Sequence, residues 1–218
     1  RRQVAMLSHD ASITRRLQGI KGIRQIQAVM PHGSGNLALV CEFLDSSLAT
    51  LLDHSPNRCL PVQQVLDIAH RLALLLGEIH AQDIVHKSLS THNVLIERRT
   101  GDLLLAGFGM ASELSQERQA SQLAVESPEM LAYISPEQTG RMNRSLDYRS
   151  DYYSLGCVLY ELLTGQPPFS ASNTLEWVHS HISRTPLSPD TLVPVPEAVC
   201  AIVLKLLAKS PEDRYQSC

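Results

Sequence analysis

The stretch LLLAGFGMAS, residues 103–112, holds the chemical question of this sequence. An apolar strand runs into a Gly-Phe-Gly turn, much as a strand does when it delivers a metal-binding carboxylate to a phosphate, yet Gly107 fills the carboxylate position. Glycine offers no side-chain oxygen to a hard cation. The histidines supply no substitute: His179 and His181 in "HSH", with His70, His80 and His92, make no i, i+4 pair beside a carboxylate set and read as ordinary helix-surface residues. Ser112, Ser115, Ser121 and Ser127 lie in a polar stretch, 112–129, that reads as a solvated loop in preference to a phosphorylation switch.

Elements that would position this turn can be read from periodicity. Val4, Leu7, Ala11, Thr14 and Leu17 fall at helical spacing over residues 2–17, and "IQAVMP" and "LALVCEF" follow as two strands around "HGSGN". From Pro61, a favourable first-turn residue, an apolar stripe through Val65, Leu66, Ala69, Leu72, Leu76 and Ile79 predicts a long helix facing a core. Two short strands, "NVLIE" and "DLLLAGF", are joined by "RRTG". The run "YRSDYYSLGCVLYELLTG" is apolar nearly all round and predicts a buried central helix ending at Gly165. Further helices are expected at 173–183 and 196–208, with Phe169 and Trp177 as core anchors.

Bulk properties limit the function classes. The 218 residues suffice for one large domain or two small lobes, and a net charge of −3 argues against a nucleic-acid or anionic-membrane binder held by bulk electrostatics. Five dispersed cysteines without a C-x-x-C spacing suggest reduced thiols and a cytoplasmic setting. No apolar run approaches the roughly 18 to 20 residues that span a bilayer. A chain running from Arg1 to Cys218 is expected to be an excised piece of something longer.

Five segments in order then resemble the eukaryotic-type protein kinase fold. "IVHKSLSTHNVLI" (84–96) is similar to the catalytic loop, "AGFG" (106–109) to the metal-binding turn and "YISPEQ" (133–138) to the end of the activation segment. "SDYYSLGCVLYELLTGQPPF" (150–169) is similar to the central helix and "PEDRY" (211–215) to the late arginine motif. The wording "AYISPEQTGRMNRSLDYRSD" with "LLAKSPEDRYQS" is closer still to the N-terminal kinase-like domain of large bacterial sensor proteins that also carry an ATPase module, a GAF domain and a histidine kinase. The resemblance implies an α+β, two-lobed fold: residues 1–44 as the remainder of an N-lobe and 45–218 as the helical C-lobe, truncated at its C-terminal end.

By this resemblance Ser88 stands at the catalytic base, Ser90 at a position often filled by Lys, and Met130 at the Thr that accompanies serine/threonine specificity. A hydroxyl cannot accept a proton near pH 7 as a carboxylate does, and loss of general-base help is typically a factor of roughly 10² to 10⁴. Asn93 matches a retained metal ligand and Gly107 a lost one, which implies Mg²⁺ weakly held or absent. An atypical enzyme would need a displaced acid such as Asp102 or Glu113. Asp10 matches a helix acid that pairs with a phosphate-gripping Lys, and Lys87 a position often taken by Arg.

ATP remains a candidate ligand under the resemblance, its adenine meeting the backbone of Glu42 and Leu44, with Leu95 beneath the ring, Ala106 before the turn and Cys41 at the gate. Scaffold residues are kept: His86 and Phe108 in an apolar stack, Asp151 capping the catalytic-loop backbone, and Glu137 paired with Arg214. The resemblance therefore implies a pseudokinase acting on neighbouring domains of the same polypeptide or on signalling proteins, with an active atypical serine/threonine kinase as the alternative.

Overall fold

The structure is a computed structural model that describes residues 2–33, 35–44, 46–97, 99–114, 128–142 and 145–217. Ser115, Ser121 and Ser127 lie outside the described residues. Helix α1 (Arg2–Arg16) buries Ala11, Ile13 and Thr14, and its last-turn Arg15 and Arg16 complement the negative end of the helix dipole. An antiparallel hairpin follows, β1 (Ile26–His32) with β2 (Asn36–Cys41), in a register that sets Val29 opposite Leu39.

A two-residue strand, β3 (Ser46–Ser47), leads directly into a short helix, α2 (Leu48–Asp53), whose first turn is capped by the Ser47 hydroxyl accepting from the Thr50 N–H at 3.2 Å. The long helix α3 (Val62–His80) buries Val65, Ile68, Leu72, Leu75, Leu76 and Ile79, an i, i+3, i+4 stripe on the core. Strands β5 (Val94–Ile96) and β6 (Leu103–Leu105) pair antiparallel, with β3 on the other side of β5. Strand β1 runs one residue past its sequence pattern, whereas β2, β5 and β6 are shorter than theirs.

Helix α5 (Arg149–Thr164) is the centre of the molecule, buried continuously from Ser150 to Leu163. It packs on α7 (Glu197–Leu206) so closely that a Cβ at Gly156 would stand 2.8 Å from the Leu206 Cβ, so only glycine permits this approach. Helix α6 (Thr174–Ser183) is capped by Asn173, whose side-chain oxygen accepts from the Glu176 N–H at 3.0 Å. Phe169 is buried and Trp177 packs against the core, as the sequence leads one to expect.

Two sequence expectations are corrected. The stretch 112–129 is not all loop: Ser112–Glu113 forms β7, paired with β4 (Ile84–Val85), and Pro128–Leu131 forms the short helix α4. His80 and His181 are not surface residues. His181 is fully buried on α6, with one ring nitrogen donating to the Leu131 carbonyl at 2.8 Å and the other facing the Tyr153 hydroxyl at 3.0 Å. Burial, followed by the nearby Lys209 charge, pushes its pKa down to about 3, so it is a neutral tether between α6 and the end of α4.

Candidate functional site

Pairing of β5 with β6 brings the two chemical loops together. Val94 sits opposite Leu105, so Asn93, at the end of the loop that leaves β4, lies beside Ala106, and the Ala106 N–H donates to the Asn93 carbonyl at 2.9 Å. Ser88, Ser90, Asn93, Ala106 and Gly107 are thereby collected at one place. The loop itself is held by Asp151 of α5, which accepts from the His86 and Lys87 N–H groups, at 2.8 Å each, and from Nε2 of His80 at 2.8 Å.

Asp151 is fully buried, and burial alone would raise its pKa. The His80 hydrogen bond and charge, the His86 charge and the backbone donors outweigh that and hold it below the ordinary aspartate value. His86, also buried, donates from Nε2 to the Ala106 carbonyl at 3.0 Å and meets the Phe108 ring edge-on, centroids 4.6 Å apart. Burial lowers its pKa against the opposing pull of Asp151, and its two contacts link the loop to the turn.

Around the expected reaction centre, the polar groups satisfy one another. The Ser88 hydroxyl donates to the Gly107 carbonyl at 2.7 Å, and the Asn93 amide donates to the Ser88 carbonyl at 2.7 Å. Ser90 accepts the Asn93 N–H at 3.2 Å. Gly107 has φ +82°, and a Cβ built there would stand 2.8 Å from Cγ, Oδ1 and Nδ2 of Asn93. The amide of Asn93 thus fills the space from which a carboxylate would project. Beside Ser88, the cavity lined by Lys87, Ser90, Met130, Tyr133 and Ile134 measures about 10 Å³, room for little more than one water.

Asp10 is the carboxylate that reaches the turn, but it accepts the Phe108 N–H at 3.2 Å and the Thr14 hydroxyl at 3.3 Å. Burial raises its pKa, and these donors with His9 and Arg24 only partly offset the effect. On the same face of α1, His9 donates to the Ala111 carbonyl at 2.7 Å and Arg16 pairs with Glu113. Neither displaced acid is at the centre: Glu113 is held by Arg16, and Asp102 takes the Thr100 hydroxyl at 2.8 Å and faces Arg71. Among the described residues, no group of three or more His, Cys, Asp and Glu could hold a metal ion.

The residues expected at the base edge are spread out. Cys41 ends β2 opposite Ile26, while Glu42 and Leu44 border a groove of about 950 Å³ with Phe43, Arg71 and Asp102. Leu95 is half-buried between Ser47 and Leu104. The Glu42 carbonyl accepts a hydrogen bond from the Arg24 guanidinium at 3.1 Å. Sequence reading missed Arg24: one Arg in "GIRQ" carries no periodic or motif signal.

At the N-terminal end of α5, Arg214 and Glu137 form a bidentate pair at 2.6 and 2.9 Å, both side chains sealed from water. Arg214 also donates to the carbonyls of Ala208, Arg149 and Lys209, and Ser150 donates to Glu137 at 2.7 Å, so the charges are fully partnered.

A family model described as protein kinase domain matches residues 3–218. The chain belongs to the protein kinase family. It is 33% identical over 180 residues to serine/threonine-protein kinase PknB of Mycobacterium leprae, covering 82% of this chain and 28% of that protein. A probable serine/threonine-protein kinase of Streptomyces coelicolor is likewise 33% identical over 180 residues, with 82% of this chain and 26% of the relative covered. Histidine protein kinase 1 of Candida albicans matches over 162 residues at 33% identity, 71% of this chain and only 6% of its own length. The chain thus spans little more than a quarter of the length of the bacterial relatives. Among the described residues, no helix of this kinase domain is long and apolar enough to cross a membrane.

Proposed function

We propose that this kinase domain is a pseudokinase, a cytoplasmic regulatory or interaction module that transmits a signal to neighbouring domains of a bacterial sensor protein without transferring phosphate. One observation carries the reading: the closed set of bonds in which Ser88 donates to Gly107 and Asn93 donates to Ser88, with the Asn93 amide filling the carboxylate space. Phosphoryl transfer needs a base for the acceptor hydroxyl and acidic oxygens for the metal. Ser88, Asn93 and Gly107 supply neither, so these residues do not fit a tightly held Mg²⁺ beside a triphosphate. We assign residues 1–44 and 45–218 to its two lobes.

Purified protein incubated with labelled ATP, Mg²⁺ or Mn²⁺ and generic protein substrates should show no incorporation above a boiled control. Turnover that Asn93→Ala abolishes would overturn the reading. A rival, an active atypical serine/threonine kinase, is favoured by the retained Asn93 and by relatives named as serine/threonine kinases. It requires a carboxylate to move into the centre, and Asp10, already at the Phe108 N–H, is the residue placed to do so. Asp10→Asn should then abolish the turnover as well; under the pseudokinase reading there is none to lose.

A further inference from the structure

We infer that Arg24 is a built-in occupant of the base end of the cleft, a tethered cation that keeps adenine out in the resting domain. The inference rests on the reading of residues 41–44 as the edge that would meet a base, and it adds a regulatory element to that edge. Both ends of the arginine are fixed. Its backbone N–H donates to the Leu105 carbonyl at 2.9 Å, beside the bridge between Ile23 and Leu105, so the side chain starts next to Ala106 and the Gly107 turn. Its guanidinium ends 3.1 Å from the Glu42 carbonyl. Between them, Nε is buried against protein and has no hydrogen-bond partner, while the guanidinium end at Glu42 is exposed. The charge also reaches Asp10, which it pulls toward ionisation as a minor influence.

A carbonyl oxygen has two lone pairs, so the bond to Glu42 leaves one free. What excludes adenine is position and polarity. The exocyclic amine of adenine is a donor, and at Glu42 it would approach a planar cation that presents only donors. Binding of adenine therefore requires Arg24 to swing out, and the energy of that movement is subtracted from any affinity the cleft has.

Adenosine, which needs neither metal nor phosphate support, isolates this effect. Binding to the wild-type domain, to Arg24→Met and to Arg24→Val would be measured by calorimetry and by thermal melting with chelator present. Wild type is expected to bind adenosine at least about tenfold more weakly than the two variants, the scale set by one charge-assisted hydrogen bond. Wild type binding adenosine as tightly as a folded variant would overturn the inference, as would folded variants that gain nothing. If neither variant melts cooperatively, Arg24 is a fold determinant and the inference also falls. Failure here is separable from failure of the pseudokinase reading, which phosphate incorporation tests.

Discussion

The N-terminal end of α5 and the loop that it holds treat charge in opposite ways. Toward its N-terminal half lie Asp151 and the Glu137–Arg214 pair, all buried and all fully partnered by hydrogen bonds to the backbone or to each other. Across the loop that Asp151 holds, at Ser88, Asn93 and Gly107, the groups are neutral and bond among themselves. Buried, partnered charge fixes the fold, whereas at the Gly107 turn the nearest carboxylate, Asp10, is engaged by the Phe108 N–H and the Thr14 hydroxyl. The lesson is that the kinase scaffold is tightly specified around a centre where Ser88 and Gly107 stand and the polar groups bond to one another.

The scaffold side should be the costly one to disturb. Glu137→Ala leaves Arg214 buried without its counter-charge, and chemical unfolding should show a loss of about 3 to 5 kcal/mol. Asp151→Asn keeps the shape but leaves a backbone N–H of His86 or Lys87 facing an amide donor, for an expected loss of about 2 to 3 kcal/mol. Because the folded pKa of Asp151 lies below its unfolded value, the stability it adds is present above the unfolded value near pH 4 and disappears as pH falls through the folded value. The gap between wild type and Asp151→Asn should therefore narrow in acid; a gap unchanged down to about pH 2 would mean that Asp151 is not charged in the fold.

His181 gives a separate acid signature. Its folded pKa of about 3 lies far below the unfolded imidazole, so the unfolded chain binds the extra proton and stability declines as pH falls from the ordinary imidazole value toward 3. A plot of unfolding free energy against pH should lose part of that slope in His181→Gln. Smallest of all should be changes at the neutral centre: Ser88→Ala removes one hydrogen bond to Gly107, for about 1 kcal/mol, with no effect on phosphate incorporation. A large loss there, or a gain of activity, would erase the contrast between the two sides.

Much of the scaffold could be read in advance because its signals are local. The stripe on α3 and the nearly all-apolar run of α5 announce themselves by period, and both helices begin and end within a few residues of the expected limits. Helix α2 could not be read so, since six residues hold too little of a period and only the Ser47 cap marks its start. The paired dipeptides 84–85 and 112–113 are strands only because the folded chain lays them side by side. His181 was misjudged because a lone histidine on a helix reads as polar, although Val178 one turn earlier on the same face is buried and shows which way that face points. At the centre, the residue types were legible, but their mutual hydrogen bonds, and Arg24 reaching across to Glu42, depend on contacts between segments far apart in sequence.

The central claim, that this centre cannot hold a metal-bound triphosphate, is tested most directly by thermal melting with ATP alone, Mg²⁺ alone and both together. A ligand bound only by the folded state raises the melting temperature. Mg²⁺ should add nothing to whatever ATP does by itself. A stabilisation that appears only when both are present, and that Asn93→Ala removes, would contradict it.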